Sequence, residues 1–261
     1  MPSCAEKVEN SQNLPLITVQ VDTWAAFVFI NLDLDAEPLE TFLEGVPDDA
    51  PWLGLEDFHC TYDLIVPMPC NWKTLIDGFS ETYHVQGLHR EMLPMTDDVN
   101  SPQRLFGRHA KLVQPSGIAS PRLRGGATDQ EIFDAFVEVM GTRIGRSTTE
   151  PAGPVPIVDD LTLRDVLADE VRPTAAVPGA DLSALSTDEV LNMAQYNLFP
   201  NTTIIAFPDL MQVVKSRPGQ RGLHQPGFTE LVLSDEECRI VNLHRNLEHV
   251  LGISPSEVTG G

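Results

Sequence analysis

Cysteine is scarce and scattered. The 261 residues hold four, Cys4, Cys60, Cys70 and Cys238, with no Cys-x-x-Cys and no Cys-x-His spacing. Without such spacing nothing suggests a disulfide framework, a zinc ribbon or an iron–sulfur cluster within this chain, and reduced thiols of a cytoplasmic protein are the expectation. Long apolar runs are missing too. No stretch approaches the about 18 residues that a membrane span needs, and MPSCAEKVENSQN lacks the basic-then-apolar order of a signal peptide. Positive charge is in short supply, with 17 bases against 38 acids and a net charge of −21. A field of that sign repels phosphate backbones and anionic lipid, so neither nucleic acid nor membrane is an expected partner. It also simply keeps a protein soluble. No internal repeat is visible.

What is present suits one folded core: hydrophobic residues make up 42% and charged residues 21%, and residues 1–261 are expected to form a single domain. Leu16 to Leu32 reads as two short strands around Asp22–Thr23, and a short helix is expected near Pro38 to Leu43. Phe58 to Val66 is a further strand, ended by the prolines of PMP. Asn71 to Arg90 carries Trp72, Leu75, Ile76, Phe79 and Tyr83 at helical spacing. Residues 94–127 hold strands at best. Thr128-x-x-Glu131 opens a helix through Met140, and Ser186-x-x-Glu189 opens another to about Tyr196. Thr202 to Phe207 and Leu210 to Ser216 form a hairpin turning at Pro208–Asp209. Ser234-x-x-Glu237 starts a last helix with Ile240, Leu243, Leu247 and Val250 on its stripe. Strands with few long helices predict an α+β fold, an antiparallel sheet with helices on one side.

The chemistry concentrates in NWKTLIDGFSETYHVQGLHREMLP, residues 71–94. His84 and His89 lie five apart and Glu81 lies three before His84. Imidazole suits iron, copper, zinc and nickel, and two His with one carboxylate form the ligand set of non-haem Fe(II) oxygenases. On a straight helix five residues separate side chains by about 140°, so the helix must bend or end between the histidines, and Gly87 is the easiest break. On spacing alone, two such histidines are more often hydrogen-bonded core or surface residues than ligands.

The surrounding text is more specific. Asn71-Trp72-Lys73 followed by Phe79-x-Glu81-x-Tyr83-His84-x-x-x-x-His89 resembles the iron-binding signature of Rieske-type aromatic ring-hydroxylating oxygenases, catalytic (alpha) subunits. Three further blocks resemble that family in its order: VDTWAAFVFINLDLDAEPLETFL, YNLFPNTTIIAFPDLMQVVKSRPG, and QRGLHQPGFTELVLSDEECRIVNLHRNLEHVLG, the last read as its C-terminal helical end. The resemblance implies a helix-grip antiparallel sheet with helices over a ligand pocket. It implies mononuclear non-haem Fe(II) on His84, His89 and an aspartate. It gives Glu81 the role of electron-transfer bridge to a neighbouring subunit's Rieske cluster, and puts Asp77 near the iron, though a solvated helix residue fits Asp77 as well. Phe79, Leu88, Met92, Leu198 and Phe199 are expected around the substrate, and each is equally explained as core.

Two parts of the family's pattern are missing from this text. No Cys-x-His with Cys-x-x-His occurs to hold [2Fe–2S], so the cluster is expected from a Rieske domain or reductase in trans. The ligand aspartate is expected to have gone with an internal deletion near 217–220, leaving the third carboxylate missing. Asp209 reads as a turn former after Pro208, and Glu237 as a capping partner. The resemblance then implies O₂-dependent hydroxylation of an aromatic or related apolar compound, with electrons from NAD(P)H, in a homo-oligomer that is a trimer by family. A degenerate homologue acting as a ligand-binding module, or a purely structural subunit, is the alternative.

Overall fold

The computed structural model describes residues 17–58, 60, 62–68, 70–156, 160–174, 181–217 and 227–234. A two-stranded ribbon comes first, β1 (Gln20–Trp24) against β2 (Phe27–Asn31). Trp24 pairs with Phe27, so the turn is Ala25–Ala26, with Ala25 at φ 51°. Asp22–Thr23, expected as the turn, lies inside β1 instead. The cause is register: Trp24, Phe27 and Phe29 pack together on the core while Val21, Val28 and Ile30 face outward, and period-two alternation fixes that pairing.

Four short helical pieces follow: α1 (Leu39–Leu43), α2 (Val46–Asp49) and the 3-10 turns Pro51–Leu53 and Leu55–Asp57. A seven-stranded sheet is built from β3 (Tyr62–Met68), β4 (Gln103–Phe106), β5 (His109–Gln114), β6 (Met193–Leu198), β7 (Thr202–Ala206), β8 (Met211–Arg217) and β9 (Gly227–Ser234). Its order is β3-β9-β8-β7-β6-β5-β4 and every pairing is antiparallel. β3 continues through Pro67 rather than ending there, because it is an edge strand and a proline at an edge forfeits no needed donor.

The remaining helices are α3 (Trp72–Gly78), α4 (Val85–Leu88), α5 (Asp129–Met140), α6 (Leu163–Thr174) and α7 (Thr187–Leu191). Two of the three expected capping boxes are formed, Thr128 with Glu131 and Ser186 with Glu189, and the third, Ser234 with Glu237, reaches outside the described residues. α7 stops at Leu191, well before Tyr196, because Met193 to Leu198 is claimed as a central strand by β5 on one side and β7 on the other. α6 went unpredicted, although Thr162 and Asp165 form a reciprocal start signal. The text read as a C-terminal helical end contains β9, paired with β8 from Arg217–Phe228 to Met211–Ser234. The expected helix over Ile240 to Val250 and the junction at 218–220 lie outside the described residues.

Two cores result. One joins α5, α6 and α7 around Phe133, Phe136, Leu167 and Leu191. The other packs Leu43, Val46, Leu53 and the ribbon aromatics onto Tyr196, Ile204, Met211 and Val213 of one sheet face. Helical pieces therefore cover both faces, not one, since α3 lies on the opposite face. The buried Asp209 sits in the β7–β8 turn, as expected of a turn former, but its carboxylate also takes Arg143 Nε at 2.9 Å and Nη2 at 2.6 Å. Arg143 also donates to the Val190 carbonyl at 2.7 Å, tying the helical core to the sheet. No helix of the described residues is long and apolar enough to cross a membrane.

Candidate metal centre

The signature begins as a capped helix. Asn71 Oδ1 accepts from Lys73 N at 2.9 Å, satisfying one of the donors that every helix start leaves free. α3 is tied to the sheet at both ends. Ser216 of β8 donates its hydroxyl to the Trp72 carbonyl at 2.9 Å, and Gln195 of β6 donates its amide to the Phe79 carbonyl. α3 ends there, and residues 79–84 run without regular structure to the start of α4. Thr82 holds this stretch from the other side by donating to the Asp98 carbonyl at 2.9 Å.

The two histidines converge differently from expectation. Gly87 does not break the backbone; α4 runs through it, and no heavy atom lies within 4 Å of where its Cβ would be. His84 and His89 are instead the residues flanking α4, and His89 leaves the helical conformation at φ −123°, ψ 50°. Their ring centroids are 5.3 Å apart with planes at 76°. A ring nitrogen about 2 Å from an ion sets its centroid roughly 3.2 Å away, so a ligand–metal–ligand angle of about 110° separates two centroids by roughly 5 Å. The spacing fits one shared ion.

Glu81 grips His84 twice. Its Oε1 lies 2.6 Å from Nδ1 and its Oε2 accepts the backbone N–H at 3.0 Å. A carboxylate on Nδ1 fixes the ring and directs Nε2 outward as the free ligand nitrogen, which raises its basicity toward a metal. Glu91 lies beside the second histidine, 3.6 Å from His89 Nδ1. That contact was not anticipated, although Glu91 stands only two residues beyond His89. Glu81 and Glu91 thus set two carboxylates beside the histidines, which suits a cation.

Other expected residues are dispersed. Asp77 is exposed on α3, and Phe79 and Met92 are half-buried. Leu88 is 66% exposed and Phe199 60% exposed, whereas Leu198 is buried in the core on the far face of the sheet. Leu198 is therefore no wall of a pocket beside α3: alternation along β6 sends Gln195 and Asn197 that way and Leu198 the other. Among the described residues no three His, Cys, Asp or Glu side chains gather as a metal site. Gln195 and Ser216 had no local signal, being 116 and 144 residues from the carbonyls they hold.

Residues 52–221 match the family described as ring hydroxylating alpha subunit (catalytic domain). The chain is similar to the carnitine monooxygenase oxygenase subunit of Acinetobacter pittii (strain PHEA-2), 33% identical over 86 residues, 31% of this chain and 22% of that protein. It is also similar to the subunit of that name in Escherichia coli (strain K12), 29% identical over 122 residues, 44% of this chain and 31% of that one. The fold is that of the quaternary ammonium Rieske monooxygenase CntA in complex with an inhibitor, at TM-score 0.55 and 14% identity, covering 98% of this chain and 54% of that one. A further solved structure of a quaternary ammonium Rieske monooxygenase, described for carnitine oxidation and inter-subunit electron transfer, aligns at TM-score 0.53 and 15% identity over 92% of this chain and 49% of that one. The chain thus spans about half the length of these solved relatives. With the family match running through well over half of the sequence, the chain belongs to the ring-hydroxylating oxygenase alpha subunits, a family of oxidoreductases, and carries their catalytic domain.

Proposed function

We propose that this chain is the iron-bearing catalytic part of a Rieske non-haem oxygenase, with His84 and His89 as ligands of a mononuclear Fe(II). The observation that carries the reading is the grip of Glu81 on His84 Nδ1, beside a second imidazole at a ring separation one ion can bridge. Bound there, Fe(II) supplies the O₂ chemistry that inserts oxygen into a small organic compound. Glu81 keeps the His84 ring oriented, and its remaining lone pairs suit it to bridge to a histidine of a [2Fe–2S] donor. That donor, a Rieske domain or reductase acting in trans, would bring electrons from NAD(P)H, and a homo-oligomer, a trimer by family, would set two such centres side by side. The expected aromatic substrate draws no support from the named relatives, which are carnitine monooxygenases.

The test is anaerobic titration of the purified chain with Fe(II). Wild type is expected to bind close to one equivalent, and His84→Ala to lose most of it. No iron in either protein overturns the reading.

A further inference from the structure

Each of the two histidines has a carboxylate of its own. Glu81 stands three residues before His84 and Glu91 two residues after His89, so the local text reads Glu-x-x-His-x-x-x-x-His-x-Glu. The histidines flank the four-residue α4, and the two acids therefore close the segment from opposite ends. Both face the same ring atom. Glu81 Oε1 lies 2.6 Å from His84 Nδ1, and Glu91 Oε1 lies 3.6 Å from His89 Nδ1. The first is a short hydrogen bond; the second is an ion-pair distance, about 0.4 Å beyond the usual hydrogen-bond range.

Glu91 has little other use in the fold. It belongs to the 3-10 turn Arg90–Met92, which His89 opens, and its side chain is only 26% exposed. Among the described residues no Lys or Arg pairs with it and no donor hydrogen-bonds its carboxylate. Arg90, its neighbour in the turn, donates Nε to the Gln86 carbonyl at 3.1 Å instead. A carboxylate withdrawn this far from water is costly unless a cation or donor offsets it. An acid also suits the first turn of a helix, which is the structural use open to Glu91. A three-residue turn sums few peptide dipoles, however, and that use asks for no imidazole beside the carboxylate.

We propose that Glu91 is the positioning residue of His89, accepting a hydrogen bond from Nδ1–H of the metal-bound ring and so holding Nε2 toward the ion. The inference rests on the Fe(II) reading above and gives the second ligand the outer partner that Glu81 gives the first. Which ring nitrogen meets a metal is set by the hydrogen bond that the other one makes. A metal-bound imidazole is a stronger Nδ1–H donor than a free one, so loading the site favours closing the 3.6 Å gap. Charge points the same way. Two neutral imidazoles leave both charges of a divalent ion uncompensated, and Glu81 with Glu91 supply two negative ones.

The experiment loads the chain with Co(II), which takes the same nitrogen and oxygen ligands as Fe(II) and shifts the proton signals of bound histidines far from the rest. Wild type is expected to show two shifted, exchangeable ring N–H signals, one from each histidine. Glu91→Gln keeps the shape and removes the charge. It is expected to weaken Co(II) binding roughly tenfold and to speed the solvent exchange of one N–H signal while the other keeps its wild-type rate. Glu81→Gln is expected to speed the exchange of the other signal, which assigns the pair. Glu91→Ala is expected to match Glu91→Gln in both readouts, with the melting temperature of the metal-free chain unchanged in each. Wild-type affinity and wild-type exchange of both signals in Glu91→Gln overturn the inference and leave the Fe(II) reading standing. So does a lowered melting temperature in both Glu91 variants with neither N–H signal singled out, the pattern of a purely structural residue. A wild-type chain that binds neither Co(II) nor Fe(II) removes the reading and the inference together.

Discussion

One carboxylate sets the orientation of the candidate ligand. Glu81 holds His84 through both the ring nitrogen and the backbone amide, a reciprocal arrangement within a single turn of chain. Glu81→Gln removes the charge that polarises the ring while keeping the shape. Outer partners of metal-bound histidines are typically worth about 10–100-fold in metal affinity, so Fe(II) or Co(II) affinity is expected to fall within that range while the melting temperature of the metal-free chain stays put. Unchanged affinity would remove Glu81 from the site. His84, His89 and Glu81 were all legible in the sequence, because their relation is local. Glu91, Gln195 and Ser216 were not. The last two act across the sheet, where neither spacing nor residue type announces a partner.

At the scale of elements, ends were easier to read than extents. The Thr128 and Ser186 boxes announced α5 and α7 because the signal is a side chain meeting its own backbone three residues on. Thr128→Ala is expected to cost about 1 kcal/mol of unfolding free energy, measured by urea denaturation, with Glu131→Ala adding little once the cap is gone. Full additivity of the two would refute a reciprocal box. α7 was expected to run on to Tyr196 and does not, since apolar residues at mixed spacing serve helix or strand alike until neighbouring strands take one of the two. The same ambiguity set the ribbon turn at Asp22–Thr23 when the Trp24–Phe27 pairing puts it at Ala25–Ala26.

At the scale of the whole molecule, polar side chains join the layers as well as apolar ones. Asp49 of α2 accepts Lys111 Nζ at 2.7 Å from β5 and the Tyr196 hydroxyl at 2.9 Å from β6, and pairs with Arg104 of β4. Burial pushes the Asp49 carboxyl up, but the hydrogen bonds from Lys111 and Tyr196, with the Lys111 and Arg104 charges, hold it below the usual range. Burial, then the Asp49 contact, raises the Tyr196 hydroxyl above its ordinary value. A carboxylate whose folded value is depressed contributes stability above its unfolded value of about 3.9, and that contribution is lost as pH falls through the folded value. Asp49→Asn is therefore expected to be less stable than wild type near neutrality, with the gap closing as pH drops below about 4. Thermal melts of both proteins across that range check it; a gap that persists in acid refutes it.

By itself the sequence determined the class of fold, the starts of α5 and α7, the β7–β8 hairpin and the local grouping of Glu81 with His84 and His89. Each depends on residues a few positions apart, whose geometry backbone periodicity dictates. Only the tertiary structure decided that α4 runs unbroken between the two histidines, that Leu198 lies in the far core, and that Gln195 and Ser216 tie the signature to the sheet. Those outcomes rest on which strands pair and in what register, and a shift of one residue would have turned every side chain of β6 to the other layer.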